Sequence, residues 1–165
     1  MNKIAGFTLM EILIAMAIMG IIAGVGFSSY SISIQKTHDA ARKSDLNQIS
    51  NALEAYQADF RLYPASQTNF IAGCGDGTAA CSWGGQFNLD TGKIYMPQLP
   101  AEIRSAYFYV YLASTDRKKY QLFANLENAN DPSVISTLSV ICSTNNDVCN
   151  YGISSSNTTI SDDLQ

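Results

Sequence analysis

Residues 1–27 read MNKIAGFTLMEILIAMAIMGIIAGVGF: a short polar leader ending at Gly6, then an apolar run broken only by Thr8 and Glu11. A helix needs about 20 apolar residues to span the hydrocarbon core of a bilayer, and residues 7–27 supply that length. A carboxylate within such a run costs roughly 2.5–3.5 kcal/mol on insertion scales, so Glu11 needs a partner or a purpose. A secretory signal peptide accounts for neither feature, because its apolar stretch is only about 7–15 residues long and ends at a small-residue cleavage site. A plain membrane anchor matches the length and leaves Glu11 unexplained.

Beyond residue 27 the chain changes character without losing helical potential. Residues 28–61 contain neither proline nor glycine, and Leu46, Ile49, Leu53, Tyr56 and Phe60 recur at spacings of three and four. One helix from Phe7 to about Phe60 would rise roughly 80 Å at 1.5 Å per residue, far more than a bilayer holds. Its outer half, residues 28–62, must then leave the membrane and have its apolar stripe covered. Asp39 and Lys43, at i and i+4, add a few tenths of a kcal/mol on the polar face. Gly20, Gly24 and Gly26 each weaken the inner half by about 1 kcal/mol relative to alanine. Gly20 and Gly24 form a GxxxG pair suited to close helix approach, and all three together suit local unwinding; glycine is also simply common in membrane helices.

Pro64 ends the helical pattern, and residues 65–92, rich in Gly, Ser, Thr and Asn, are expected to form a long loop. Residues 106–113 alternate Tyr107, Tyr109 and Tyr111 with Phe108, Val110 and Leu112, and a polar STDRKK turn leads to residues 120–124, which predicts a hairpin. Residues 133–141 are a further candidate strand, and residues 94–96 a short one. The expected fold class is α+β: a long N-terminal helix, first membrane-spanning and then amphipathic, with its outer half packed against a small antiparallel sheet of three or four strands. The tyrosine row is read as cross-strand packing rather than as a stacking platform for ligands, since strand propensity alone favours these residues.

The segment Gly6-Phe7-Thr8-Leu9-Met10-Glu11 followed by an apolar helix resembles the class III leader of type IV pilins and type II secretion pseudopilins. That resemblance implies a chain divided into a leader (1–6), a filament-core half-helix (7–27), an amphipathic half-helix (28–62) and a β-rich head (63–165). It implies cleavage by a prepilin peptidase between Gly6 and Phe7, and methylation of the new terminus at Phe7. Polymerisation into a helical homopolymer would follow, on an inner-membrane assembly platform. Glu11 would receive the terminal amine of a neighbouring subunit, because a buried ammonium and a buried carboxylate each require an opposite charge. The precursor would sit in the inner membrane with its head outside the cytoplasm, and the product would be a surface pilus or a periplasmic pseudopilus. The stretch NALEAYQADFRLYPAS, Trp83, the YMPQLP segment and the Tyr-x-Tyr pairs resemble major pseudopilins and related pilins. The chain lacks the glycine- and aspartate-rich calcium loop of a typical major pseudopilin and has cysteine pairs such proteins usually lack, so a pilin is the first reading and a pseudopilin the alternative. A stand-alone membrane-anchored binding domain is the reading from a different class.

Cys74 and Cys81 bracket GDGTAA, and Cys142 and Cys149 bracket STNNDV, the same spacing twice. Four cysteines allow three connectivities; the repeated spacing and an exported location favour Cys74–Cys81 and Cys142–Cys149. Zinc ligands usually pair at two to four residues, and a single histidine, His38, adds nothing to such a set. Without a histidine cluster, a phosphate-cradling glycine loop or a nucleophile arrangement, no catalytic residue, cofactor site or metal site is expected, and the chain is read as a non-enzyme. His38 is expected to be solvated, and the short basic clusters Lys36, Arg42, Lys43 and Arg117, Lys118, Lys119 are expected to be solvated faces or subunit contacts. A net charge of −4 argues against a generally basic nucleic-acid binder, while a local surface or DNA ligand stays open. Asp162 and Asp163 are too few to make a calcium site alone. Asn157-Thr158-Thr159 is a formal glycosylation sequon.

Overall fold

The computed structural model describes residues 6–75, 79–89 and 92–164, with residues 25–29 described through their backbone alone. Most of the leader therefore lies outside the described residues, as do Asp76, Gly77 and Thr78 of the first cysteine-bracketed loop. One helix, α1, runs Leu9–Phe60 over 52 residues. By contact the chain divides into two units, one ending at Thr37 and one beginning at His38.

In the second unit the helix stripe does what its spacing demands: Leu46, Ile49, Leu53 and Tyr56 are buried with Ala52 between them. Phe60 departs from the expected stripe, since it is exposed, with its ring tilted 33° against Tyr56 at 4.6 Å between centroids. The helix stops there because Arg61 turns into the left-handed region at φ 62°, a position more often given to glycine, and Pro64 follows.

Residues 65–92, expected as loop, instead carry four short strands. Strands β1 (Ser66–Gln67), β2 (Phe70–Cys74) and β3 (Ala79–Cys81) form one antiparallel sheet, and β4 (Phe87–Asn88) pairs with β5 (Ile94–Met96) in another. Their polar composition hid them: each is two to five residues long, too short for an alternating pattern to show.

The expected hairpin forms with its first strand cut from residues 106–113 to β6 (Val110–Ala113), Tyr107 making only an isolated bridge to Ser143; β6 pairs with β7 (Tyr120–Ala124) in register from Val110 opposite Phe123 to Ala113 opposite Tyr120. The third strand of this sheet is β8 (Tyr151–Ser154), paired to β7 from Gln121 opposite Ser154 to Ala124 opposite Tyr151. Residues 133–141, expected as a strand, form none. Their first amides turn back locally, Ser133 N–H donating to Asp131 Oδ1 and Val134 N–H to Asp131 O, and their longer contacts stay isolated: Ile135 N–H donates to Asn150 O and Ile141 pairs only in a single bridge with Val148. Leu138 and Val140 still pack inward from this irregular path.

Period-two alternation sets the faces of the sheet. Tyr109, Tyr111, Tyr120 and Leu122 join the helix stripe in the main core, while Val110 and Phe123 face a second, smaller core with Cys142, Cys149 and Ile160. The tyrosines satisfy their hydroxyls within the head: Tyr109 donates to Asp45 Oδ2 at 2.7 Å and Tyr111 to Pro64 O at 2.7 Å. Burial first, and for Tyr120 the nearby Glu54 as well, pushes their pKa values up, to about 12 for Tyr120, so they act as neutral packing groups.

Gly152 on β8 marks the tightest packing. A Cβ there would stand 2.5 Å from Ile160 Cδ1 and 2.7 Å from the carbonyl oxygen of Leu122. The side chain can give way but the ladder carbonyl cannot, so Gly152→Ala is expected to destabilise the head by about 1–3 kcal/mol, measured by denaturant unfolding.

Candidate functional site

The helix begins on a reciprocal pair. Thr8 N–H and Thr8 Oγ1–H both donate to Glu11 Oε2 at 3.1 Å, and Glu11 N–H donates to Thr8 Oγ1 at 3.3 Å. This is a capping box, in which Thr8 precedes the first helical residue, Leu9, and the acid three positions on reaches back. The Thr-x-x-Glu spacing was legible at residues 8 and 11, yet reading Glu11 only as an assembly group overlooked it. The box holds the carboxylate against the positive end of the helix dipole, three residues after Thr8 and four after Phe7. Thr8→Val is expected to cost the first turn about 1 kcal/mol, seen as faster amide hydrogen exchange at residues 9–12 with unchanged melting of the head.

From this cap the first unit is bare. Phe7 is 84% exposed, Leu9 78% and Ile21 70%, and Met10, Met16, Met19 and Ile22 are similarly open, so apolar side chains project around the whole helix circumference. A helix apolar on every side is stable only when buried in lipid or in protein. A Cβ at Gly20 or Gly24 would meet no atom within 4 Å, and Gly26 lies in the stretch described through its backbone alone. Among the described residues no helix is long and apolar enough to cross a membrane. The described side chains of the apolar run stop at residue 24, short of the about 20 a span needs, and residues 25–27 lie outside them.

The second unit opens on a buried charge network that corrects three expectations. Arg42, expected on a solvated face, is 1% exposed and its guanidinium binds three carboxylates: Asp39 Oδ1 at 2.9 Å, Glu102 at 2.7 and 2.8 Å, and Glu127 Oε1 at 2.7 Å. Asp39, expected to pair with Lys43, instead pairs with Arg42 and accepts the backbone N–H groups of Glu127 and Asn128 at 2.8 and 2.9 Å. Lys43 binds Asp131 Oδ1 at 2.7 Å. His38, expected in solvent, has Nδ1 3.2 Å from Glu127 Oε1. The missed signal was periodic: residues 39 and 42 continue the stripe of 46, 49, 53 and 56 at the same three-and-four spacing, so they face the head whatever their charge.

Burial works against the charge on Arg42, but the hydrogen bonds and charges of Glu102 and Glu127 hold its pKa above the ordinary arginine value. Burial alone would raise Glu127; the Arg42 guanidinium overrides it and pulls this carboxyl below its ordinary value. A depressed carboxylate stabilises the fold above its unfolded pKa and loses that contribution as pH falls through the folded value. The head is therefore expected to melt at progressively lower temperature as pH drops below about 4.5, followed by tyrosine near-ultraviolet dichroism.

Disulfides join Cys74 to Cys81 and Cys142 to Cys149, with Cα atoms 5.2 and 5.1 Å apart. The second clamps a loop braced by Asp147, which accepts from Tyr107 Oη at 2.8 Å and Ser143 Oγ at 3.0 Å. Asp162 is spent on a turn, accepting from Thr159 N–H at 2.7 Å and from the hydroxyls of Thr158 and Thr159. Among the described residues no group of three or more acidic, histidine or cysteine side chains is placed to hold a metal ion. Asn157 is exposed, its amide donating to Lys118 O at 3.0 Å.

Comparison with known proteins agrees with the N-terminal geometry. Residues 1–27 match the family model described as the prokaryotic N-terminal methylation motif. Over 76 residues the chain is 30% identical to the "Type II secretion system core protein G" of Aeromonas hydrophila, covering 46% of this chain and 53% of that one. The chain thus spans about half the length of the curated relative it matches. No solved structure matches. A methylation motif, a long helix capped inside it, a small antiparallel head and the likeness to a secretion core protein make this chain similar to the type IV pilins and type II secretion pseudopilins.

Proposed function

We propose that the chain is a structural subunit, anchored as a precursor in the cytoplasmic membrane by residues 7–27. Cleavage after Gly6 and methylation of Phe7 release it to polymerise through its N-terminal helix into a type IV pilus. The observation that carries this reading is the contrast between the two units: the head buries its own apolar stripe, while the helix from Phe7 to Ile22 leaves every apolar side chain uncovered around one carboxylate. In a filament core the neighbouring copies cover it, and Glu11 offsets the incoming ammonium of Phe7. Gly20, Gly24 and Gly26 then supply either close helix approach or a stretch of helix that unwinds on packing. The partners of this reading are further copies of the chain, a prepilin peptidase, an inner-membrane assembly platform and, before assembly, the membrane itself.

The likeness to a type II secretion core protein favours a second reading, in which the same subunit builds a periplasmic pseudopilus. Both share the processed terminus. Peptide mass spectrometry of the mature protein from the cell surface tests them together: a peptide starting at N-methylated Phe7 supports a polymerising subunit. An intact Met1 overturns both and leaves a membrane-anchored binding domain. Filaments seen outside the cell, rather than only on overexpression of a secretion system, separate pilus from pseudopilus.

A further inference from the structure

The cations of the head divide sharply. Arg42, Lys43, Lys93 and Arg104 each pair with a carboxylate. Arg61, Arg117, Lys118 and Lys119 make no ion pair among the described residues, and they gather where the helix ends and the β6–β7 turn folds back. Tyr63 N–H donates to Arg117 O at 2.8 Å, and Arg117 Nε–H donates to Tyr63 O at 2.7 Å, which brings that turn against the chain two residues after Arg61. The acid in the turn, Asp116, is held low by Ser114 Oγ and Lys118 N–H together with Lys118 and Lys119, and it accounts for one of the four positive charges. The helix C-terminus adds about half a negative charge, Asp162 acts on Lys119, and Glu54 accepts from the Tyr63 hydroxyl, so the surplus is small and an anion here would rest on the Arg117 fork itself.

At this place a cavity of about 130 Å³ is lined by Tyr56, Ala65, Ala72, Gly73 and Arg117. Arg117 is held in the left-handed region at φ 55°, with its guanidinium committed only through Nε to Tyr63 O and through Nη2 to Tyr56 Oη at 3.4 Å. Both N–H groups of Nη1 have no partner among the described residues. The Tyr56 hydroxyl, accepting from Arg117, keeps its own proton free to donate. A half-buried guanidinium without a carboxylate, beside a free phenol proton and in a cavity large enough for a few heavy atoms, has the donor set of an oxyanion site.

We propose that this cavity binds one oxyanion group, a carboxylate or a phosphate, on the Arg117 guanidinium with Tyr56 as the second donor. Arg61, Lys118 and Lys119 raise the local anion concentration without touching it. The site belongs to the head and stands whether or not the chain polymerises.

The test titrates inorganic phosphate, and separately acetate, into the full-length protein in detergent micelles and follows the Arg117 side-chain signal and the Gly73 amide by NMR. Saturable shifts confined to Tyr56, Ala72, Gly73 and Arg117 are expected. Saturation by both anions points to a carboxylate side chain as a source, and saturation by phosphate alone points to a free or esterified phosphate. Arg117→Gln is expected to weaken binding by about tenfold or more, since a hydrogen bond to a charged group is worth about 1.5–3 kcal/mol. Lys118→Gln should change it only about two- to threefold, and Arg117→Lys, which keeps the charge and loses the fork, should fall between. Shifts that never saturate, that spread over all exposed lysines, or that survive Arg117→Gln in a protein of unchanged melting temperature would overturn the site.

Discussion

Arg42→Ala is expected to bring the head close to unfolding. The substitution leaves Asp39, Glu102 and Glu127 facing one another around an empty site, and the Glu102 side chain is only 2% exposed. Arg104 offsets the lost charge only in part, because its Nε stands 3.9 Å from Glu102 and 3.6 Å from Glu127 and its guanidinium lies 3.6 Å over the Tyr107 ring. Removing one partner of a buried pair costs about 3–5 kcal/mol, against a total of about 5–15 kcal/mol for a domain. The three contacts also tie α1 to segments 60 and 85 residues away, so their loss frees the loop before β6 and the one after β7 together. Arg42→Lys should fall between wild type and alanine, because an ammonium keeps the charge but does not fork to three carboxylates. Denaturant unfolding followed by tyrosine dichroism measures this; a loss under about 1 kcal/mol for Arg42→Ala would mean that the network is relaxed by water and does not hold the head.

The second large effect concerns Glu11. Glu11→Ala is expected to reduce filament yield by two to three powers of ten while cleavage after Gly6 and melting of the head stay unchanged. In the proposed filament core a Phe7 ammonium would have no water to fall back on, and an uncompensated buried charge costs about 3–5 kcal/mol per contact. At about 1.4 kcal/mol for each tenfold in an association constant, that removes subunit addition from the accessible concentration range. Glu11→Ala also leaves both Thr8 donors of the capping box without their acceptor, a smaller loss of about 1 kcal/mol. Thr8→Val separates the two contributions, since it breaks the box and keeps the carboxylate. Filament yield from sheared cells, with processing checked by N-terminal mass, decides it, and normal filaments from Glu11→Ala would rule out charge pairing as the basis of assembly.

Residues 1–27 alone carried the functional reading, because a leader glycine, an aromatic, a threonine and a glutamate at fixed spacing are covalent neighbours whose meaning does not depend on the fold. The sequence likewise determined the helix through Phe60 and the β6–β7 hairpin, since 3.6- and 2-residue periods report which face is apolar before anything packs on it. Only the tertiary structure decided the rest. Arg42 and Asp39 look like solvated helix charges until Glu102 and the segment at Glu127 close over them, and charge compensation from distant residues leaves no local trace. Residues 133–141 carry strand-forming side chains, yet Asp131 captures their first amides and the free edge of β7 goes to Tyr151–Ser154, whose four residues were too few to announce a strand. A strand exists only where a neighbouring edge accepts its hydrogen bonds, and that acceptance is settled by the whole chain rather than by the segment itself.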